Sequence, residues 1–142
     1  MDKEQRVAAY GVAIQDSRVL LTRIARTDVI GETGLWMLPG GGVEHGEHPE
    51  ESVTRELAEE TGYTVRVDRL LHAGAEHRQL DFPGLSVDWH NVYLTYAVTV
   101  TGGGLRDELD GSTGTPTWFP LDDLPAMLPT SRAILDRALA DG

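Results

Sequence analysis

The chain of 142 residues contains no cysteine. That excludes disulfides and thiolate metal ligands, so any metal must sit on oxygen or imidazole. Lysine is nearly absent: Lys3 stands alone against eleven arginines, and the formal net charge is −11. A chain this acidic lacks the basic face that coating a polyanion requires, which disfavours nucleic acid as a partner. A small phosphorylated substrate remains admissible, because bound cations invert the local charge. Long apolar runs are missing as well. No stretch approaches the 18 residues of a membrane-crossing helix, and the opening Met1-Asp2-Lys3-Glu4-Gln5-Arg6 leads into a short alternating apolar segment rather than a signal-peptide core. The expectation is one domain over residues 1–142, soluble and cytoplasmic, large enough to bury its own core.

Residues 7–14 and 19–22 are β-rich runs separated by Gln15-Asp16-Ser17-Arg18, which predicts a hairpin with both strands in a central sheet. A polar loop is expected over 24–34, then a short strand over 35–38 that Pro39-Gly40-Gly41-Gly42 breaks. Pro49, Glu50 and Glu51 suit the first turn of a helix and Gly62 its C-terminal cap, so a helix is predicted from Pro49 to Thr61. Strands follow at 64–74 and 87–101, a short one at 115–119, a helical turn at 121–124, and a terminal helix over 131–140 with Ile134, Leu135 and Leu139 on one side. Strands arriving in pairs around a mid-chain helix suggest an α/β architecture whose mixed sheet is covered on both faces.

The most informative stretch is 41–63, which reads Gly-x5-Glu-x7-Arg-Glu-Leu-x-Glu-Glu-x-Gly-Tyr. With ordinary residue frequencies its seven positions Gly41, Glu47, Arg55, Glu56, Glu59, Glu60 and Gly62 alone arise in a chain of this length with a chance on the order of one in a million. At about 100° per residue, Glu56, Glu59 and Glu60 share one arc of the predicted helix, while Val53, Leu57 and Thr61 share the neighbouring arc. Like charges at these spacings repel. A solvated acidic face would explain two adjacent glutamates, but three glycines precede this helix, and Arg55 and Glu47 are placed to brace the loop against it. Carboxylates, a backbone carbonyl and water make an all-oxygen site suited to Mg²⁺, with Mn²⁺ an alternative, and such ions leave ligand positions for substrate phosphates. The chemistry expected there is attack of water on phosphorus.

The pattern resembles the Nudix box, and Leu38-Pro39-Gly40-Gly41-Gly42 with Glu44 and Gly46-Glu47 resembles the strand–loop–helix entry of that family. Tyr63 departs from it, standing where an aliphatic residue is usual; its place at the helix exit makes this a matter of packing. The resemblance implies a Nudix-type α/β/α sandwich and hydrolysis of a nucleoside diphosphate linked to another moiety, such as a nucleoside triphosphate, ADP-ribose or a nucleotide sugar. It implies that Glu56, Glu59 and Glu60 hold the divalent ions with the carbonyl of Gly41, that Arg55 and Glu47 orient helix and loop, and that Glu56 or Glu59 accepts the proton of the attacking water. It also points to Glu108, with Asp110 second, as a further base or ligand, to Arg23 as a phosphate contact, and to a homodimer. The rival expectation is a non-catalytic Nudix-like domain that senses a nucleotide or binds a protein. Outside the box, Trp36, Phe82 and Trp89 could stack on a base or serve the core, and His45, His48, His72, His77 and His90 show no zinc spacing. Residues around Arg23, Arg78, Trp89 and Glu108 are left to choose the substrate.

Overall fold

The computed structural model describes residues 1–25, 27–107 and 114–141. Within them the elements run β1 (Asp2–Val12), β2 (Ile14–Gln15), β3 (Arg18–Arg23), β4 (Trp36–Met37), β5 (Gly40–Gly42), α1 (Pro49–Thr61), β6 (Tyr63–Phe82), β7 (Leu85–Gly103), β8 (Thr117–Pro120) and α2 (Pro129–Asp141). The main sheet has the order β5-β1-β7-β6. It is mixed, because β1 runs parallel to β7 from Asp2↔Val87 to Val12↔Ala97 while its other pairings are antiparallel. A second, antiparallel sheet gathers β2, β3, β4 and β8.

The covering of both faces is visible in β1. Ala8, Tyr10 and Val12 pack with Ile134, Leu135 and Ala138 of α2, while Ala9 packs with Val53 and Leu57 of α1. A strand buried on both sides needs apolar residues at successive positions, as residues 7–14 supply. The result is an α/β/α arrangement around a mixed sheet. Among the described residues no helix is long and apolar enough to cross a membrane.

Several expectations need correction. The hairpin forms, but from β2 and β3: β1 ends at Val12, and the chain passes into the second sheet at Ala13, whose carbonyl accepts the Leu20 N–H at 3.1 Å. The two runs therefore do not share the central sheet. The turn at Asp16 and Ser17, with φ of 53° and 60°, has the left-handed pair of a two-residue hairpin and fixes that crossing. Residues 40–42 do more than break a strand, since β5 pairs Gly40 with Tyr10 and Gly42 with Ala8. Only glycine serves at position 40: φ is +144°, and a Cβ would lie 2.2 Å from the Ala9 carbonyl oxygen. β6 runs well past 64–74, to Phe82, and meets β7, which exceeds 87–101 by only two residues at each end, at a tight turn over Pro83 and Gly84. Residues 121–124 form a turn and no helix, and Leu139 is exposed while Ala138 takes its place in the core.

The helix α1 spans the predicted residues. His48 caps it, its Nδ1 accepting the Glu50 N–H at 3.1 Å, and Gly62 closes it at φ 86°. Val53, Leu57 and Thr61 are fully buried beneath it. Each of the two apolar side chains contributes about 1.5–3 kcal/mol of burial. Past β7, Arg106 folds back on the helix end, donating its backbone N–H to the Thr61 carbonyl and its guanidinium to the Ala58 carbonyl, both at 3.0 Å. A cation there suits the negative end of the helix dipole.

Candidate metal and substrate site

The C-terminal half of α1 presses its acidic side against β5. Glu60 is buried and accepts the Gly40 N–H on both carboxylate oxygens, at 3.2 and 3.3 Å. This departs from an evenly solvated anionic arc: the same arc turns Glu60 into the loop and Glu59 toward solvent. Glu56 lies between them in depth. Its Oε1 would stand 3.0 Å from a Cβ at position 41, so the absence of a side chain there lets carboxylate and backbone meet.

Arg55 ties the group together. Its Nε and Nη2 donate to the two oxygens of Glu47 at 2.8 and 3.1 Å, a bidentate pair, and Nη2 also reaches the Gly42 carbonyl at 3.4 Å. Its Nη1 donates to Glu56 at 3.1 Å and Glu59 at 3.2 Å, with Glu44 at 3.7 Å. The Arg55 hydrogen bonds, followed by the Glu44 backbone N–H, hold the Glu47 carboxyl at about 2, below its ordinary 4.5. The same contact with Glu47 raises the guanidinium further above its already high range.

The donor set is wholly oxygen: three carboxylates from α1 and a glycine loop that approaches them without a Cβ in the way. That chemistry fits a hard divalent cation. Among the described residues no three histidine, aspartate or glutamate side chains already converge as a ligand set. Arg55 donates to both Glu56 and Glu59 at their junction.

Beyond β5 opens a cleft of about 660 Å³, walled by the main sheet on one side and by the start of α2 and the 24–32 loop on the other. Tyr10, which pairs with Gly40, and Arg6, whose Nη1 would be 3.6 Å from a Cβ at position 42, connect it to the glycine loop. Phe82 and Trp89 line it, and the Trp89 ring has the guanidinium carbons of Arg6 and Arg78 each 5.2 Å from its centroid. Arg78 is also paired with Glu32 at 2.9 Å, and Thr130 donates to Glu76 across the mouth.

The candidates are thus unevenly gathered. Gly41, Glu47, Arg55, Glu56, Glu59 and Glu60 come together. Arg23 does not line the cleft; it lies on β3, exposed, its guanidinium beside Gly34. Glu108 and Asp110 lie outside the described residues. Trp36 stacks edge-on against Phe119 at 4.7 Å, a core contact. Tyr63 accepts the Trp118 indole N–H at 3.0 Å, which gives the unusual aromatic a packing partner. His77 bonds Asp88 at 2.5 Å and His90 bonds Gln5 at 2.7 Å. Sequence reading missed Arg6, Tyr10, Asn91 and Glu76. For Arg6 and Tyr10 the signal was the period-two alternation of β1, which places Glu4, Arg6, Ala8 and Tyr10 on one face, whereas Glu76 and Asn91 lie on β6 and β7 and join them only through strand register.

Residues 4–140 match the family model described as the NUDIX domain. The chain is 31% identical over 121 residues to an ADP-ribose pyrophosphatase of Methanocaldococcus jannaschii, covering 85% of this chain and 65% of that protein. It is 30% identical over 135 residues to an RNA pyrophosphohydrolase of Mesorhizobium japonicum, covering 83% and 77%. Among solved structures, a MutT NUDIX hydrolase from Burkholderia pseudomallei superimposes with a TM-score of 0.75 at 30% identity, covering 94% of this chain and 98% of that one. Several curated relatives are longer, and the chain spans 27% to 65% of the length of four of them. With the family model covering nearly every residue and the carboxylate helix folded against its glycine loop, the chain belongs to the Nudix family.

Proposed function

We propose that the chain is a Mg²⁺-dependent pyrophosphohydrolase that cleaves a nucleoside diphosphate linked to another moiety. The observation that carries this reading is the adjacency of two chemistries across the short strand Gly40–Gly42. On one side stand Glu56, Glu59 and Glu60; on the other lies a cleft with Phe82 and Trp89 in its wall. A substrate lying across that strand puts its phosphates over the carboxylates and its nucleoside in the cleft, which is wide enough for one. The divalent ion, held by Glu56, Glu59, Glu60 and the Gly41 carbonyl, would neutralise the phosphates and lower the pKa of the attacking water. Glu56 or Glu59 accepts the proton of that water, and Arg55, anchored on Glu47, keeps the pair in place. ADP-ribose, nucleoside triphosphates and nucleotide sugars share the linkage, and the name of the Methanocaldococcus relative favours the first.

The test is release of a nucleoside monophosphate from a panel of these compounds, with Mg²⁺, with Mn²⁺ and with EDTA. Metal-dependent turnover of at least one compound is expected. A wild-type protein that binds a nucleotide yet turns over none of the panel would establish a sensing domain instead.

A further inference from the structure

Two arginines flank Trp89, and they are held differently. Arg78 has a carboxylate at 2.9 Å, from Glu32, and another at 3.7 Å, from Glu76. Arg6 forms no ion pair among the described residues, although the protein carries 23 acidic side chains. Its partners are neutral: Nε donates to the Asn91 amide oxygen at 3.0 Å, and Nη2 to the Tyr10 hydroxyl at 3.3 Å, to which the Asn91 amide also donates at 3.4 Å. Asn91 is fully buried on the middle of β7, and Tyr10 is 7% exposed.

A buried asparagine in a central strand costs stability unless its hydrogen bonds are made, and an apolar residue would fill that position at less cost. Here its hydrogen bonds fix a guanidinium at the seam between the glycine loop and the cleft. The indole of Trp89 holds the same group from another side. A cation positioned by neutral partners keeps its charge available to a ligand, whereas Arg78 spends its own on two glutamates.

From this placement we infer that Arg6 is the contact for the phosphate ester attached to the moiety lodged in the cleft, and that Asn91 and Tyr10 are positioning residues for it. Arg6 lines the cleft and also stands beside Gly42, between the cleft and the carboxylates of α1. The inference rests on the pyrophosphohydrolase reading for the direction in which the substrate lies, but its test needs neither turnover nor metal.

AMP, GMP, CMP and UMP and the matching nucleosides are titrated into the protein in EDTA, by calorimetry and by quenching of tryptophan fluorescence. The quantity read is the affinity ratio of each monophosphate to its nucleoside, which cancels any general change in the cleft. Charge-assisted hydrogen bonds predict a ratio of about ten to a hundred in the wild type. It should fall to near unity in Arg6→Ala and Arg6→Gln and keep a reduced but distinct value in Arg6→Lys. Asn91→Asp, nearly isosteric, gives Arg6 the carboxylate it lacks and should lower the ratio with the arginine still present. A ratio near unity in the wild type, no binding of any monophosphate at millimolar concentration, or a ratio unmoved in Arg6→Ala overturns the inference. A protein that hydrolyses nothing but shows the predicted ratios loses the enzymatic reading alone. One that turns over substrate with an unmoved ratio loses only the role of Arg6.

Discussion

Arg55 and Arg6 lie close to the same strand of three glycines, and their surroundings are opposites. Arg55 touches four carboxylates, from Glu44, Glu47, Glu56 and Glu59. Arg6 touches an amide, a phenol and an indole. On the helix side the single cation is far from balancing its neighbours, so that side attracts a further positive charge. On the cleft side Glu4, Glu32 and Glu76 stand among the lining residues, but Arg6 itself has only neutral hydrogen-bond partners among the described residues, so an anion is drawn to that one guanidinium rather than to the cleft as a whole. A substrate whose phosphates carry bound divalent ions answers both demands at once, which is why the two regions are better understood as one path than as two sites.

The largest effect is expected where the helix side is broken. Glu59→Gln removes one negative charge from an exposed position and leaves the packing of α1 intact. Turnover of the best substrate should fall about 10²- to 10⁴-fold with an unchanged circular dichroism spectrum. Near-normal turnover would remove Glu59 from the machinery. The same change at Glu60 has a second consequence, because that carboxylate accepts the Gly40 N–H inside the fold, so its effect on melting temperature should exceed that of Glu59→Gln.

The strand between the regions is the next point of attack. Gly40→Ala drives a Cβ to 2.2 Å from the Ala9 carbonyl and to 2.7 Å from the Tyr10 Cα, and forces alanine to a φ of +144°. A cost of about 3 kcal/mol or more is expected in urea unfolding. Gly41→Ala meets the end of a flexible side chain instead, at 3.0 Å. It should leave stability nearer the wild type while displacing Glu56, and so lower turnover more than stability. Equal losses of stability in the two variants would show that the loop does not separate structure from chemistry in this way.

On the cleft side the effects should be smaller. Trp89→Ala removes a stacking surface and should weaken nucleotide binding by about 1–3 kcal/mol, read in KM rather than kcat. Arg78→Ala breaks a partly exposed pair with Glu32, worth about 1 kcal/mol or less. Were Arg78→Ala to cost more binding than Trp89→Ala, Arg78 and not the indole would be the main contact of the cleft.

These two regions also differ in how they are written in the chain. The helix side lies within one turn-by-turn pattern, Glu47 to Glu60, where spacing along a helix translates directly into a shared face, and the boundaries from Pro49 to Thr61 and the Arg55–Glu47 pair follow from local chemistry. The cleft is assembled from β1, β6, β7, the 24–32 loop and the start of α2. Arg6 and Trp89 come together only because β1 pairs in parallel with β7 in one register, with Glu4 opposite Trp89 and Arg6 opposite Asn91. Nothing local specifies that register. Arg23 illustrates the same limit from the other direction: the crossing at Ala13 sends β3 into the second sheet, and Arg23 stands exposed beside Gly34 while its neighbour Ile24 lines the cleft. Leu139 does so on a smaller scale, since the side of α2 that packs is decided by the sheet it meets.

The smallest expected effect concerns acid. The Glu47 carboxyl is held at about 2 in the folded chain, against an ordinary 4.5, chiefly by the hydrogen bonds from Arg55 and then by the Glu44 N–H. A carboxyl lowered on folding contributes stability that is fully present above the unfolded value and is lost as pH falls through the folded one. The brace between loop and helix should therefore hold down to about pH 4.5 and weaken progressively toward pH 2. Other carboxyls are lowered too, Asp68 by Thr99 and then Arg66, and Asp81 by Gln79 and then Ser86, so the total acid dependence is shared. The informative quantity is the difference between the wild type and Glu47→Gln, whose amide cannot titrate. Melting temperatures measured from pH 6 to pH 2.5 should converge as pH falls, the wild type losing its advantage within that window. Curves that stay parallel would mean that Arg55 keeps loop and helix together through Glu56, Glu59 and Gly42 without Glu47, and the bidentate pair would then be an ornament of the charge network rather than its anchor.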